Sequence, residues 1–198
     1  MFQSYNFDQQ EVDMQQYYFF KEGFTKEELN KISQGVAKLP FKKASTAGGK
    51  DKKVRSSSVK WVPQNNEWFW LYEKLSDYAV QANFALWNFD ITQIPEQIQY
   101  TEYYASEQGH YDWHADIGPG LLSKRKISIT VQLSELDEYE GGDLEVFKGG
   151  SMNGPFDKAH RKAGCVFIFP SFLMHRVAPV TKGTRKSFVL WLGGSHYK

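Results

Sequence analysis

Residues 125–135, RKISITVQLSE, alternate without a break: Ile127, Ile129, Val131 and Leu133 against Ser128, Thr130 and Gln132. A helix would scatter that pattern around its surface. An extended chain sorts it onto two faces, so the segment reads as a strand with one apolar face. It is the first of a series. EGGDLEVFKGG (140–150), AGCVFIFP (163–170), LMHRVAPV (173–180) and RKSFVLWLGG (185–194) follow, each short and bounded by Gly, Pro or Ser. Seven or eight such strands from about residue 97 suit a double-sheet jelly roll.

The N-terminal half reads differently. QQYYFFKEGF (15–24) is a short strand signal, and TKEELNKISQGVAKLP (25–40) is a helix. Thr25 is placed as its N-cap, with Glu28 three residues on completing a capping box. Leu29, Ile32, Val36 and Leu39 form its apolar stripe, and Pro40 stops it. A second helix is expected over about 66–87, where Trp68, Leu71, Tyr72, Leu75, Tyr78, Ala79, Ala82 and Leu86 recur at helical spacing. Between them, 41–58 (FKKASTAGGKDKKVRSSS) is small, polar and basic, and reads as an exposed loop. The expected class is mainly β with packing helices: a double-stranded β-helix (jelly roll, cupin-like) core over about 97–194, with helical support over about 20–90 on one face. No linker or repeat divides residues 1–198, so one domain is expected.

Composition excludes several classes. With 41% hydrophobic and 16% aromatic residues the chain has enough material for a core. A net charge of +1 names no partner. Cys165 is the single cysteine, so no intrachain disulfide forms, and its apolar setting reads as an inert core thiol. The opening MFQSYNFDQQEVDMQQ carries neither the basic nor the apolar region of a secretory leader, and no apolar run approaches a membrane span. A soluble, cytoplasmic protein is the expectation.

Chemistry enters at GHYDWHADIGPG (109–120). If the strand continues through it, His114 and Asp116 share a face and aim an imidazole and a carboxylate at one point. A third ligand must come from elsewhere, and His175 in FPSFLMHRVAPV is the best placed. Two histidines and one carboxylate form a facial triad with open positions, suited to Fe(II); zinc on the same donors is the competing reading. Arg185 lies ten residues after His175, and it shares a strand face with Ser187, Val189 and Trp191. A guanidinium beside a hydroxyl makes a socket for a carboxylate.

His114, Asp116, His175 and Arg185, in this order and spacing, resemble the motif of the 2-oxoglutarate- and Fe(II)-dependent dioxygenases, in their prolyl 4-hydroxylase-like branch. The resemblance spans roughly residues 97–194. It extends to Tyr104, ten residues before His114, to Tyr111, three before it, and to Trp191, six after Arg185. It implies iron held by His114, Asp116 and His175, and 2-oxoglutarate bound by Arg185 with Tyr104, Ser187 and Trp191 in support. Tyr111 would line the substrate pocket, and ascorbate would be a possible supporting reductant. Oxidative decarboxylation to succinate and carbon dioxide would accompany hydroxylation of an aliphatic C–H bond. The first substrate implied is a prolyl residue of a protein or peptide. Hydroxylation of a free amino acid or small metabolite, oxidative demethylation of nucleic acid, and a non-enzymatic metal- or carboxylate-binding jelly roll are the alternatives. Asp116 argues against the halogenase branch, and Trp191 stands where the demethylase branch usually carries a second arginine.

Other groups have plainer readings. His110, His160 and His196 lack matching partners and are expected at the surface. The basic run Lys42, Lys43, Lys50, Lys52, Lys53 and Arg55 lacks interleaved aromatics and reads as solvated, with a lid or docking patch as the functional alternatives. Gly118, Pro119 and Gly120 form a turn beside the site, where substrate choice would be expressed.

Overall fold

A computed structural model describes residues 16–43, 53–149, 154 and 156–196. Its elements are β1 (Tyr18–Phe20), α1 (Lys26–Ala37), β2 (Lys42–Lys43), β3 (Arg55–Ser56), β4 (Ser58–Val62), α2 (Phe69–Leu86), β5 (Ile98–Tyr104) and β6 (His110–His114). Then come β7 (Arg125–Gln132), β8 (Tyr139–Gly141), β9 (Leu144–Phe147), β10 (Phe156–Lys158), β11 (Val166–Pro170), β12 (His175–Val177) and β13 (Val180–Gly193). The larger sheet runs β1-β11-β7-β13-β5-β4-β2, with β8 also paired to β13, and the smaller runs β10-β9-β12-β6-β3. Every strand pairing among the described residues is antiparallel. This is the jelly roll expected from the strand series, with helices on one side.

Alternation builds three layers. Ile127, Ile129 and Val131 of β7 face the helices, joined by Ile98 and Tyr100 of β5 and Phe188 and Leu190 of β13. Against them pack Ile32 and Val36 of α1 and Leu71, Leu75, Ala79 and Ala82 of α2. Each large aliphatic side chain buried here contributes about 1.5–3 kcal/mol. A second apolar cluster lies between the sheets and includes Tyr103, Leu144, Val146, Phe167, Phe169 and Val177.

The α1 cap forms as its sequence directs: Thr25 Oγ1 accepts from the Glu28 amide at 3.2 Å, and a Glu28 carboxylate oxygen accepts from the Thr25 amide at 2.8 Å. The basic segment departs from the loop reading. Lys42–Lys43 pairs with β4, and Arg55–Ser56 pairs with β6, so the start of the run joins the larger sheet and its end the smaller. Lys50 and Lys52 lie outside the described residues, as does the N-terminal stretch 1–15. His160 and His196 are exposed, whereas His110 is half-buried, its ring nitrogens bonded to the carbonyls of Gln108 and Lys53. Cys165 is buried, and burial pushes its thiol up to about 11. No helix among the described residues is long and apolar enough to cross a membrane.

Candidate active site

The polar half of the β7 alternation does not face water. Ser128, Thr130 and Gln132 are as buried as their apolar neighbours, because the smaller sheet covers that face. The space between the sheets holds a cavity of about 350 Å³. Its lining includes all four residues of the sequence motif: His114, Asp116, His175 and Arg185.

β6 and β12 are neighbours, with His114 opposite His175 in register. Asp116 lies just beyond the end of β6, not within the strand as period-two counting implied. Its amide donates to the Ser171 carbonyl at 2.8 Å, which turns the chain so that the carboxylate still faces both histidines. His114 Nε2 is 3.6 Å from Asp116 Oδ1, and His175 Nε2 is 3.7 Å from Asp116 Oδ2. One ligand atom from each residue falls within a 4.8 Å span of the others.

The far nitrogens settle the tautomers. His114 Nδ1 lies 2.7 Å from the Asp112 carbonyl, and His175 Nδ1 lies 2.8 Å from the Leu173 carbonyl. A carbonyl only accepts, so in the neutral rings each Nδ1 carries the proton and each Nε2 presents a lone pair toward Asp116. Burial pushes the His175 imidazole down to about 4, against the pull of Asp116, so it is neutral at pH 7. Burial alone would raise the Asp116 carboxyl, but His175, His114 and the Ser128 hydroxyl together hold it well below the usual range. Two imidazole nitrogen donors and one carboxylate, oriented by outer hydrogen bonds, are a donor set that fits a divalent transition metal.

Asp116 is itself held. Ser128 Oγ donates to its Oδ2 at 2.6 Å and lies 3.0 Å from Ser171 Oγ. Arg125 Nη1 donates to the Asp116 carbonyl at 3.0 Å.

Arg185 is 3% exposed, and its one hydrogen bond among the described residues runs from Nη1 to Ser187 Oγ at 3.3 Å. No carboxylate pairs with it among those residues, an arrangement that is costly unless an anion arrives. Its stem is set by the β8–β9 turn, where Gly141 and Gly142 both have positive φ. A Cβ on Gly142 would come within 3.1 Å of Arg185 Cδ and 2.8 Å of a Val180 methyl, so the turn needs glycine for space as well as for backbone.

The remaining expectations divide. Ser187 and Trp191 line the cavity on the same face of β13 as Arg185. Trp191 Nε1 is buried with no hydrogen-bond partner among the described residues, a donor awaiting an acceptor. The Tyr111 ring stacks on His114 with centroids 3.5 Å apart. Tyr104 is not among the cavity residues, and its hydroxyl donates to Glu102. Register gives the reason: Arg185 sits opposite Tyr103 across β13 and β5, whereas Tyr104 sits opposite Thr184. Of these two tyrosines it is therefore Tyr103 that lines the cavity, with the Arg185 guanidinium 5.6 Å from its ring centroid.

Sequence reasoning also missed Arg55, Glu96, Arg125 and Ser128. The first three line the cavity, and the last orients Asp116. Arg125 stacks 3.7 Å over the Trp191 ring and is paired with Glu96, Nη2 to Oε2, at 2.5 Å. The unbroken alternation of β7 carried a signal for Ser128, but the signal did not say which face was wet.

A family model described as the 2OG-Fe(II) oxygenase superfamily matches residues 98–193. A PKHD-type hydroxylase of Rippkaea orientalis is 28% identical over 178 residues, covering 86% of this chain and 75% of that protein. One of Acinetobacter baumannii is 30% identical over 162 residues, covering 77% and 69%. Among solved structures, a prolyl hydroxylase of Trichoplax adhaerens, in complex with a hypoxia inducible factor peptide fragment, superposes with a TM-score of 0.72. That likeness is one of fold, at 16% identity over 90% of this chain and 83% of the other. The chain belongs to the 2-oxoglutarate- and Fe(II)-dependent oxygenase superfamily, and it is a hydroxylase that uses Fe(II), 2-oxoglutarate and dioxygen.

Proposed function

We propose that His114, Asp116 and His175 hold the iron, that Arg185 anchors the far carboxylate of 2-oxoglutarate, and that the group hydroxylated is a prolyl residue of a peptide or protein. The observation that carries this reading is the pairing, in one cavity, of two Nε2 lone pairs and a carboxylate with a buried guanidinium that lacks an acidic partner among the described residues. A dicarboxylate has an anionic end to offer each of those two features. With iron bound, dioxygen would be the oxidant: one oxygen atom enters succinate as 2-oxoglutarate loses carbon dioxide, and the other enters the substrate as its C–H becomes C–OH.

The chain's own residues bind, orient and enclose. The Asp112 and Leu173 carbonyls keep both imidazoles in the metal-binding tautomer, and Ser128 keeps one Asp116 oxygen engaged. Arg185 supplies a charge-assisted anchor, with Ser187 beside it and the Tyr103 ring alongside. Tyr111, Trp191 and Leu122 give the cavity apolar walls against which a pyrrolidine ring could pack. The peptide in the structure of the Trichoplax prolyl hydroxylase supports a peptide substrate.

The test is a screen of proline-containing peptides, free proline and cell lysate, with wild type and His175→Ala. Gain of one oxygen atom on a prolyl residue, matched by succinate and lost in the variant, is the expected result. Oxygen transfer to free amino acids alone would refute the peptide assignment. Undiminished turnover in His175→Ala would refute the ligand assignment.

A further inference from the structure

Three arginines line the cavity, and their charges are disposed of differently. Arg125 is neutralised by Glu96. Arg185, the deepest, faces the place assigned to the cosubstrate. Arg55 is only half-buried and so lies nearer the mouth. Its Nε donates to Ser57 Oγ at 2.8 Å and its Nη2 to Gln99 Oε1 at 2.7 Å, both neutral acceptors. Its Nη1 makes no hydrogen bond, and no carboxylate pairs with it, among the described residues.

The position of that charge is fixed. The Arg55 guanidinium lies 4.6 Å from the Tyr111 ring centroid, and Tyr111 stacks in turn on His114. β3 is tied into the smaller sheet by pairing Arg55 with Tyr111 and Ser56 with His110. The guanidinium therefore stands one aromatic ring away from His114. With the cosites filled, the two carboxylates of 2-oxoglutarate offset the two charges of the iron, Arg185 offsets Asp116, and Glu96 offsets Arg125. Among the described residues lining the cavity one positive charge is left over, at Arg55.

We propose that Arg55 is a specificity-determining residue that binds a carboxylate of the substrate, so that the enzyme selects an anionic substrate. This rests on the peptidyl reading above. Two sources supply the same chemistry: an acidic side chain next to the reacting residue, or a free α-carboxylate at a chain terminus. Both place an anion on a residue beside the hydroxylated one, and the Arg55–Tyr111–His114 stack sets the guanidinium on the His114 side of the cavity. The guanidinium edge is already oriented by Ser57 and Gln99, so little rotamer freedom is lost on binding.

Four short proline peptides distinguish the cases: one flanked by glutamine with a C-terminal amide, one flanked by glutamate with an amide, one flanked by glutamine with a free terminal carboxylate beside the proline, and one flanked by lysine with an amide. Their kcat/KM would be measured with wild type, Arg55→Gln, Arg55→Lys and Arg55→Glu. Binding would be measured in parallel by anaerobic calorimetry on the iron- and 2-oxoglutarate-loaded enzyme, so the outcome does not depend on turnover. Wild type should prefer at least one carboxylate-bearing peptide over the neutral one by on the order of 10- to 100-fold. Arg55→Gln should erase that preference, chiefly through KM, and Arg55→Lys should keep part of it. Arg55→Glu should reverse it toward the lysine peptide. Equal affinity of wild type for all four peptides would overturn the proposal, as would a uniform loss across them in Arg55→Gln. Oxygen transfer to none of them, with the binding preference intact, would overturn the prolyl reading and leave the carboxylate site standing.

Discussion

Ser128→Ala tests how the candidate metal centre is held together without touching a candidate ligand. Ser128 Oγ donates to Asp116 Oδ2 at 2.6 Å from a fully buried position, on the β7 face that an isolated strand would show to water. A hydrogen bond to a charged group contributes about 1.5–3 kcal/mol, and loss of an outer partner of a metal-binding group typically costs about 10- to 100-fold in metal affinity. The Ser171 hydroxyl, 3.0 Å from Ser128 Oγ, loses its partner too. Removing the Ser128 donor lets the carboxyl rise, but His175 and His114 still hold it down, so Asp116 stays ionised at pH 7. The loss should therefore be one of aim, not of charge. Anaerobic calorimetric titration with Fe(II) should show a dissociation constant raised about 10- to 100-fold. Ser134→Ala is the control: Ser134 is equally buried but bonds the Thr184 carbonyl and the Lys186 amide, so it should lower stability and leave iron affinity alone. Unchanged iron affinity in Ser128→Ala, together with abolished binding in Asp116→Asn, would refute the orienting argument. No change in either variant would remove Asp116 from the metal site.

Three further outcomes follow from the same geometry. Arg185→Ala should raise the 2-oxoglutarate requirement steeply while leaving metal binding nearly intact, because truncating one side of a buried charged contact costs on the order of 2–5 kcal/mol; steady-state KM and metal titration separate the two effects. Tyr103→Phe should raise the KM for 2-oxoglutarate several-fold, whereas Tyr104→Phe should not, since the Tyr104 hydroxyl is engaged with Glu102 outside the cavity. The metal-free protein should lose stability as pH falls from about 6.5 toward 4. In that window the unfolded chain protonates His175 and the folded chain does not, so acid favours unfolding by up to on the order of 3 kcal/mol. Urea melts across pH, compared with His175→Gln, should show a flatter dependence in the variant.

Local chemistry carried much of this protein into view. Thr25 and Glu28 mark a helix start wherever they stand, because a capping box needs only neighbours three residues apart. The period-two run at 125–133 can only be a strand, and the order and spacing of His114, Asp116, His175 and Arg185 are covalent facts that folding does not alter. What could not be read there depends on which strands become neighbours. Ser128 is polar in an alternating strand, which is equally the description of a wet face and of a wall between two sheets; only the smaller sheet, closing over it, decides. Counting ten residues back from His114 reaches Tyr104, but the β5–β13 register sets Tyr103 opposite Arg185, and a one-residue difference in a strand exchanges faces. Arg55 sits at the end of a lysine-rich run, and nothing near it in the chain marks it off from those lysines. Its pairing with Tyr111, more than fifty residues away, takes it from solvent to the cavity wall. The sequence determined the donors and their order; the tertiary structure decided which side chains surround them, because facing and neighbourhood arise from long-range pairing that no local pattern records.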